Sequence, residues 1–237
     1  MSTSLPQNLD EAIVQARGAT QAALADGYQR LQVELLFPEL KVMPIAQSFL
    51  SEFESLGAAL RVVFPDAGAA ALARRDWGDK PFVIRGISDV NAAFQADESM
   101  FVFVEPSAVE VLQVETLCQA AGDRPVIILN PSLEDVAVVG IGYAARQIRE
   151  RFLSLFESCY YLRPLNEAAL FRCYPNPWQI WRQAGETYEL VGERDTRPSG
   201  DEIDQVLVGT LDQTDSKQAQ KRNLLSELQS FLRALSQ

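Results

Sequence analysis

Two runs decide the fold class: MFVFVE at residues 100–105 and PVIILN at residues 125–130 are apolar at consecutive positions rather than at alternate ones. A strand with apolar side chains on both sides must be covered on both sides, as happens when helical crossovers pack on the two faces of a parallel sheet. Between the runs lies a helical segment, residues 108–121, closed by Gly122. Strand, crossover helix, strand is the expected unit.

The same alternation fills the first two thirds of the chain. Leu9, Ile13, Ala16, Ala19 and Ala23 recur at helical spacing over residues 9–26, with Asn8 as the predicted cap and Gly27 as the stop. RLQVELLF at 30–37 alternates Leu31, Val33 and Leu35 and then meets Pro38, which predicts a strand. A helix is expected over 45–60 and a strand at 61–65 (RVVFP). The turn Asp66-Ala67-Gly68 follows, then an alanine-rich helix over 69–75 and a strand over 82–87.

After a helix expected over 143–157 the texture changes to short strands at 159–164, 169–174, 179–183 and 187–194, with Gly185-Glu186 suited to a tight hairpin. Residues 196–204 read as a polar loop. Residues 216–235 read as an amphipathic helix with Leu224, Leu225, Leu228, Phe231, Leu232 and Leu235 on one stripe. The expected architecture is an α/β three-layer sandwich, a mostly parallel central sheet extended by a C-terminal antiparallel meander, in a single domain over 1–237.

What the chain lacks narrows its chemistry. It has no histidine, which removes Ser-His-Asp and Cys-His activation and the commonest zinc and iron sites. Three widely spaced cysteines, Cys118, Cys159 and Cys173, read as reduced, buried thiols. A net charge of −11 repels phosphate backbones and anionic surfaces, so nucleic acid is not an expected partner. No basic leader precedes an apolar core at the start, and no run of about 20 apolar residues occurs, so export and membrane insertion are not expected. No cofactor or metal is expected.

Four motifs are candidates for function. Gly140-Ile141-Gly142-Tyr143-Ala144-Ala145 reads as strand, G-x-G-x-x-A and helix, a phosphate-cradling pattern, but it opens no first βαβ unit and no acid follows to hold a ribose. Asp66 and Gly68 lie at a strand's carboxyl end beside a helix start, either as a ligand turn or as a helix cap. The acid pairs Asp10-Glu11, Glu52/Glu54, Glu134-Asp135 and Asp201-Glu202 lack calcium-loop spacing and read as solvated surface. Tyr174, Pro175, Pro177, Trp178 and Trp181 crowd aromatics and prolines into one turn, either an interaction surface or a cap on the core. A P-loop is absent. The last helix either packs on the domain or meets a partner.

The runs RLQVELLFPEL at 30–40, VFPDAG at 63–68, FLSLFESCYYL at 152–162 and RCYPNPW at 172–178 together resemble a domain of unknown function from cyanobacteria and chloroplasts. Its plant members include the low photosystem II accumulation assembly factors, and a related region extends a plastid adenylate kinase. The resemblance implies a soluble, non-enzymatic auxiliary factor. It would be cytoplasmic, at most peripheral to the thylakoid membrane, and would dock on photosystem II subunits or assembly factors. Without a transit peptide the chain is expected to be the cyanobacterial form. The resemblance carries no catalytic residues. The alternative expectation is a nucleotide- or phosphometabolite-binding enzyme or sensor using Asp66 and Gly68, or Gly140 and Gly142. A pigment-binding role would need an oxygen or water ligand for magnesium, since no imidazole is present.

Overall fold

The computed structural model describes residues 4–89, 95–133 and 143–211. Among them, nine strands order as β3-β2-β4-β5-β1-β6-β7-β8-β9. The strands are β1 (Arg30–Leu35), β2 (Leu60–Phe64), β3 (Val83–Gly86), β4 (Met100–Val104), β5 (Val126–Leu129), β6 (Glu157–Leu165), β7 (Ala168–Cys173), β8 (Trp178–Ala184) and β9 (Thr187–Arg194). The pairs β3/β2, β2/β4, β4/β5 and β5/β1 are parallel, whereas β6/β7, β7/β8 and β8/β9 form an antiparallel meander. The α/β class, the mostly parallel sheet and the C-terminal meander stand as the sequence predicts. Six α-helices accompany the strands among the described residues: α1 (Leu9–Ala25), α2 (Val42–Leu50), α3 (Ala67–Trp77), α4 (Val111–Ala121), α5 (Tyr143–Arg151) and α6 (Gly200–Leu211).

The chain divides into two compact units. In the unit built from residues 20–34 and 41–158, every residue of β2, β4 and β5 is buried, so both faces of these parallel strands are covered. Successive residues of a strand point to opposite faces, and β2 shows where its two helices lie. Val63 packs in one cluster with Phe101, Phe103, Val126 and Ile128 and with Val111, Val114 and Leu117 of α4. Its neighbour Phe64 sets its ring 5.5 Å from Trp77 of α3. Helices α3 and α4 therefore cover opposite faces of this sheet.

Polar residues hold this unit together at its strand starts. The Arg30 guanidinium donates to the carbonyls of Cys118 and Arg124 at 2.9 Å and also to that of Gly122, closing the C-terminus of α4 where carbonyls have no helical partner. Arg61 and Glu98 form a buried ion pair, Nε to Oε1 at 2.6 Å, and the second Glu98 oxygen accepts from the Gln95 N–H at 2.8 Å. Arg124 lies over the Phe101 ring at 4.9 Å while donating to the Gln95 and Glu98 carbonyls at 3.0 Å.

The second unit takes residues 4–19, 35–40 and 159–211 of those described. One face of its meander carries Tyr161, Leu170, Trp178 and Ile180, packed with Ile203, Val206 and Leu207 of α6. Gly192 in β9 lets α6 approach closely, since a Cβ there would stand 3.0 Å from the Val206 side chain. Asn8 caps α1 as expected, its Oδ1 accepting from the Glu11 N–H at 2.8 Å.

Three expected boundaries are corrected. The helix expected over 45–60 begins earlier, at Val42, because Pro44 is tolerated in a first turn. It ends at Leu50 and passes into a tighter 3₁₀ stretch, Ser51–Ala59, broken at Gly57 with φ 56°. The helix expected over 143–157 stops at Arg151, where Phe152 turns into the core edge-to-face against Phe156 at 5.4 Å, and Glu157 already belongs to β6. The expected loop over 196–204 gives way to α6 at Gly200. There Ser199 and Glu202 form a capping box: the Ser199 N–H donates to Glu202 at 2.7 Å, and the Glu202 N–H donates to the Ser199 hydroxyl at 3.3 Å. The segments 134–142 and 216–235, with Gly140, Gly142 and the last amphipathic stripe, lie outside the described residues.

Candidate functional site

The aromatic turn joins β7 to β8. The Tyr174 N–H donates to the Cys159 carbonyl at 2.8 Å, and the Asn176 backbone and side-chain N–H groups both donate to the Cys173 carbonyl, at 3.0 and 3.1 Å. The Tyr174–Pro175 peptide is cis. Pro175 is exposed, with Tyr174, Asn176 and Pro177 half-buried beside it. Bonds from Tyr174 and Asn176 thereby fix the backbone of the turn.

The two tryptophans expected to share that surface do not. Positions 178 and 181 of a strand differ by an odd step, so their side chains leave opposite faces. Trp178 is 4% exposed and joins the meander core, its ring 5.0 Å from that of Tyr161. Trp181 is half-buried on the other face, where its indole N–H donates to Gln179 at 3.2 Å and Gln179 in turn donates to Glu193 at 3.0 Å. Trp178 anchors the turn from beneath.

Two arginines reach the same indole, a grouping that sequence reasoning missed. Tyr161 lies opposite Arg172 and Trp178 lies opposite Arg194. The Arg172 guanidinium carbon is 5.6 Å from the Trp178 ring centroid. Arg197, from the loop after β9, lies 4.6 Å over Tyr161 and 5.7 Å over Trp178, and its Nη2 donates to the Tyr161 hydroxyl at 2.9 Å. Buried Pro198 and the Ser199–Glu202 capping box fix the loop beyond it. The two bonds from Ser199, followed by the Arg194 charge, hold the Glu202 carboxyl below its ordinary range.

The sequence-predicted ligand turn serves as a cap. Asp66 is exposed, and its Oδ1 accepts from the Ala69 N–H at 2.8 Å, while a Cβ at Gly68 would lie 3.0 Å from that same oxygen. The end of β3 closes against it, since a Cβ on Gly86 would stand 2.7 Å from the Ala67 nitrogen. One strand further across, Glu105 and Asn130 follow β4 and β5 with φ of 50° and 48°, both immediately before a proline. Desolvation pushes the Glu105 carboxyl above its ordinary range. Because α3 and α4 leave on opposite faces, the gap between the ends of β2 and β4 is the topological switch point of the sheet.

The described residues contain no group of three or more acidic or cysteine side chains placed to hold a metal. None of the three cysteines forms a disulfide and all are buried, and burial pushes the Cys118 thiol up to about 12. A thiol so placed is neither a nucleophile nor a ligand at neutral pH.

No solved structure matches the chain. Residues 6–205, including every strand of both units and the aromatic turn, match the model of a domain of unknown function, DUF1995, and the chain belongs to that family.

Proposed function

We propose that the chain is a non-enzymatic auxiliary factor that docks on a protein partner through the turn at residues 174–177, at the cytoplasmic side of a thylakoid membrane, in the assembly or maintenance of photosystem II. The observation that carries the docking is the construction of that turn. Tyr174, Pro175 and Pro177 are held at the surface by bonds from Tyr174 and Asn176, with Trp178 locked beneath, so their contact area is presented with little entropy left to lose on binding. The setting comes from the resemblance to photosystem II assembly factors. None of the helices among the described residues is long and apolar enough to cross a membrane, which suits a peripheral partner.

The test is an affinity capture from solubilised cyanobacterial membranes, with mass spectrometry of the eluate. Photosystem II subunits or assembly factors should be enriched by the wild-type chain and lost with a folded Tyr174→Ala/Pro175→Ala double variant. A clean bait, or capture unchanged in that variant, overturns the reading.

A second reading is favoured by the switch point between β2 and β4: a nucleotide or phosphometabolite seated at the sheet's carboxyl edge near Asp66 and Glu105. Its discriminator is thermal unfolding against a metabolite panel, where a ligand stabilises by RT ln(1 + [L]/Kd). A flat response across adenine dinucleotides and nucleoside phosphates removes it.

A further inference from the structure

Tyr161 stands on β6 and Trp178 on β8, with β7 between them, so their backbones are two strand spacings apart, about 10 Å. Their ring centroids are nonetheless 5.0 Å apart. The two side chains therefore lean toward each other across β7, over Arg172, which lies opposite Tyr161 in the register. Rings standing upright on these two strands would not meet, so the lean has to be held in place.

We infer that Arg197 is the positioning residue of the docking turn: it holds the Tyr161–Trp178 ring pair closed and, through Trp178, sets the turn at residues 174–177. The inference rests on the docking reading and adds the residue on which the shape of the docking surface depends.

Three observations carry it. First, Arg197 reaches both rings at once. Its guanidinium carbon lies 4.6 Å from the Tyr161 centroid and 5.7 Å from that of Trp178, and its Nη2 donates to the Tyr161 hydroxyl at 2.9 Å. The cation attracts each ring, and the hydrogen bond fixes the outer end of Tyr161. Second, Arg197 closes the pair from the solvent side, being exposed while both rings are buried. Asp195 and Asp201 beside it in the chain are exposed as well, and among the described residues the contacts of Arg197 run inward to the rings and the hydroxyl rather than to these acids. Third, both ends of the link are tied down. Buried Pro198 and the Ser199–Glu202 box fix the backbone after Arg197, and Trp178 directly follows Pro177, so a displaced indole shifts the end of the turn.

The test is native-state hydrogen exchange of the full chain. The Tyr174 and Asn176 amides, bonded to the Cys159 and Cys173 carbonyls, report the turn; those of Leu170 and Ile180, paired with each other in the same meander, report its general stability. In Arg197→Ala the two turn amides should exchange about tenfold faster, the size of one lost charge-assisted bond, with Leu170 and Ile180 at wild-type rates. Arg197→Lys, which keeps a cation and a donor, should recover part of the protection. Unchanged turn amides, equal acceleration at all four amides, or no recovery with lysine each overturns the inference. Membrane capture separates it from the docking reading: photosystem II components should be enriched by wild type and by Arg197→Lys and lost with Arg197→Ala. Arg197→Ala capturing as well as wild type ends the inference and leaves docking standing, whereas a clean wild-type bait ends both.

Discussion

Replacing Trp178 with alanine should unfold the meander before it tests any partner. The indole is 4% exposed, sits 5.0 Å from the Tyr161 ring and has the Arg172 and Arg197 guanidinium groups within 6 Å. A buried tryptophan removes on the order of 200 Å² from water, which at about 25 cal/mol per Å² corresponds to roughly 5 kcal/mol. Truncations of buried aromatic residues to alanine cost about 3–5 kcal/mol. With a urea dependence of roughly 2–3 kcal/mol per molar, the midpoint of unfolding should fall by about 1–2 M. Phenylalanine, which keeps one ring against Tyr161, should lose about a third of that. Far-UV circular dichroism is the right probe, since the substitution removes a fluorophore. An alanine variant within about 1 kcal/mol of wild type would refute the claim that Trp178 is an anchor and would return it to the surface.

Three further outcomes follow from the same geometry. Glu98→Ala strands the buried Arg61 guanidinium and should cost about 3–5 kcal/mol in urea unfolding; the double replacement Arg61→Met/Glu98→Leu should cost far less, and equal costs would show that the pair does not matter as a pair. Because Glu202 is held below its ordinary range, its ionised form supports the start of α6 at every pH above the usual glutamate value. That support is lost as pH falls through the lowered value, so carboxyl NMR should find Glu202 titrating below the ordinary glutamate range and moving up in Ser199→Ala. Cys118, Cys159 and Cys173 should resist alkylation at pH 8 in the native protein and react in urea; fast stoichiometric labelling without denaturant contradicts their burial.

The parts legible in the sequence are those whose signal is local. Phe101–Val104 and Val126–Leu129 announce strands covered on both faces, because each position is apolar, and both are buried throughout. Asn8 and Asp66 were readable as caps for the same reason. The Ser199-x-x-Glu202 box is equally local, but it lies inside a polar stretch that masks the start of α6. What escapes inspection is set by partners far along the chain. Trp178 and Trp181 look like one patch in a linear reading and are separated by strand alternation. Arg172 and Arg197 look unrelated in the chain, yet both reach Trp178, one across the pairing of β7 with β8 and the other from the loop after β9. Glu105 and Asn130 run against local rules altogether, since a following proline disfavours helical backbone at the residue before it, yet both take the left-handed conformation.

The net charge hides a division of labour among the cations. Arg30, Arg61 and Arg124 face inward, on carbonyls at the end of α4, on a buried carboxylate and on the Phe101 ring; they hold one unit together and offer little to a partner. Arg172 and Arg197 instead stand against aromatic rings at the margin of the meander core, beside the turn at residues 174–177. A net charge of −11 gives the chain a long-range field that opposes the approach of other anions. That field fades within a screening length, and inside it local geometry decides.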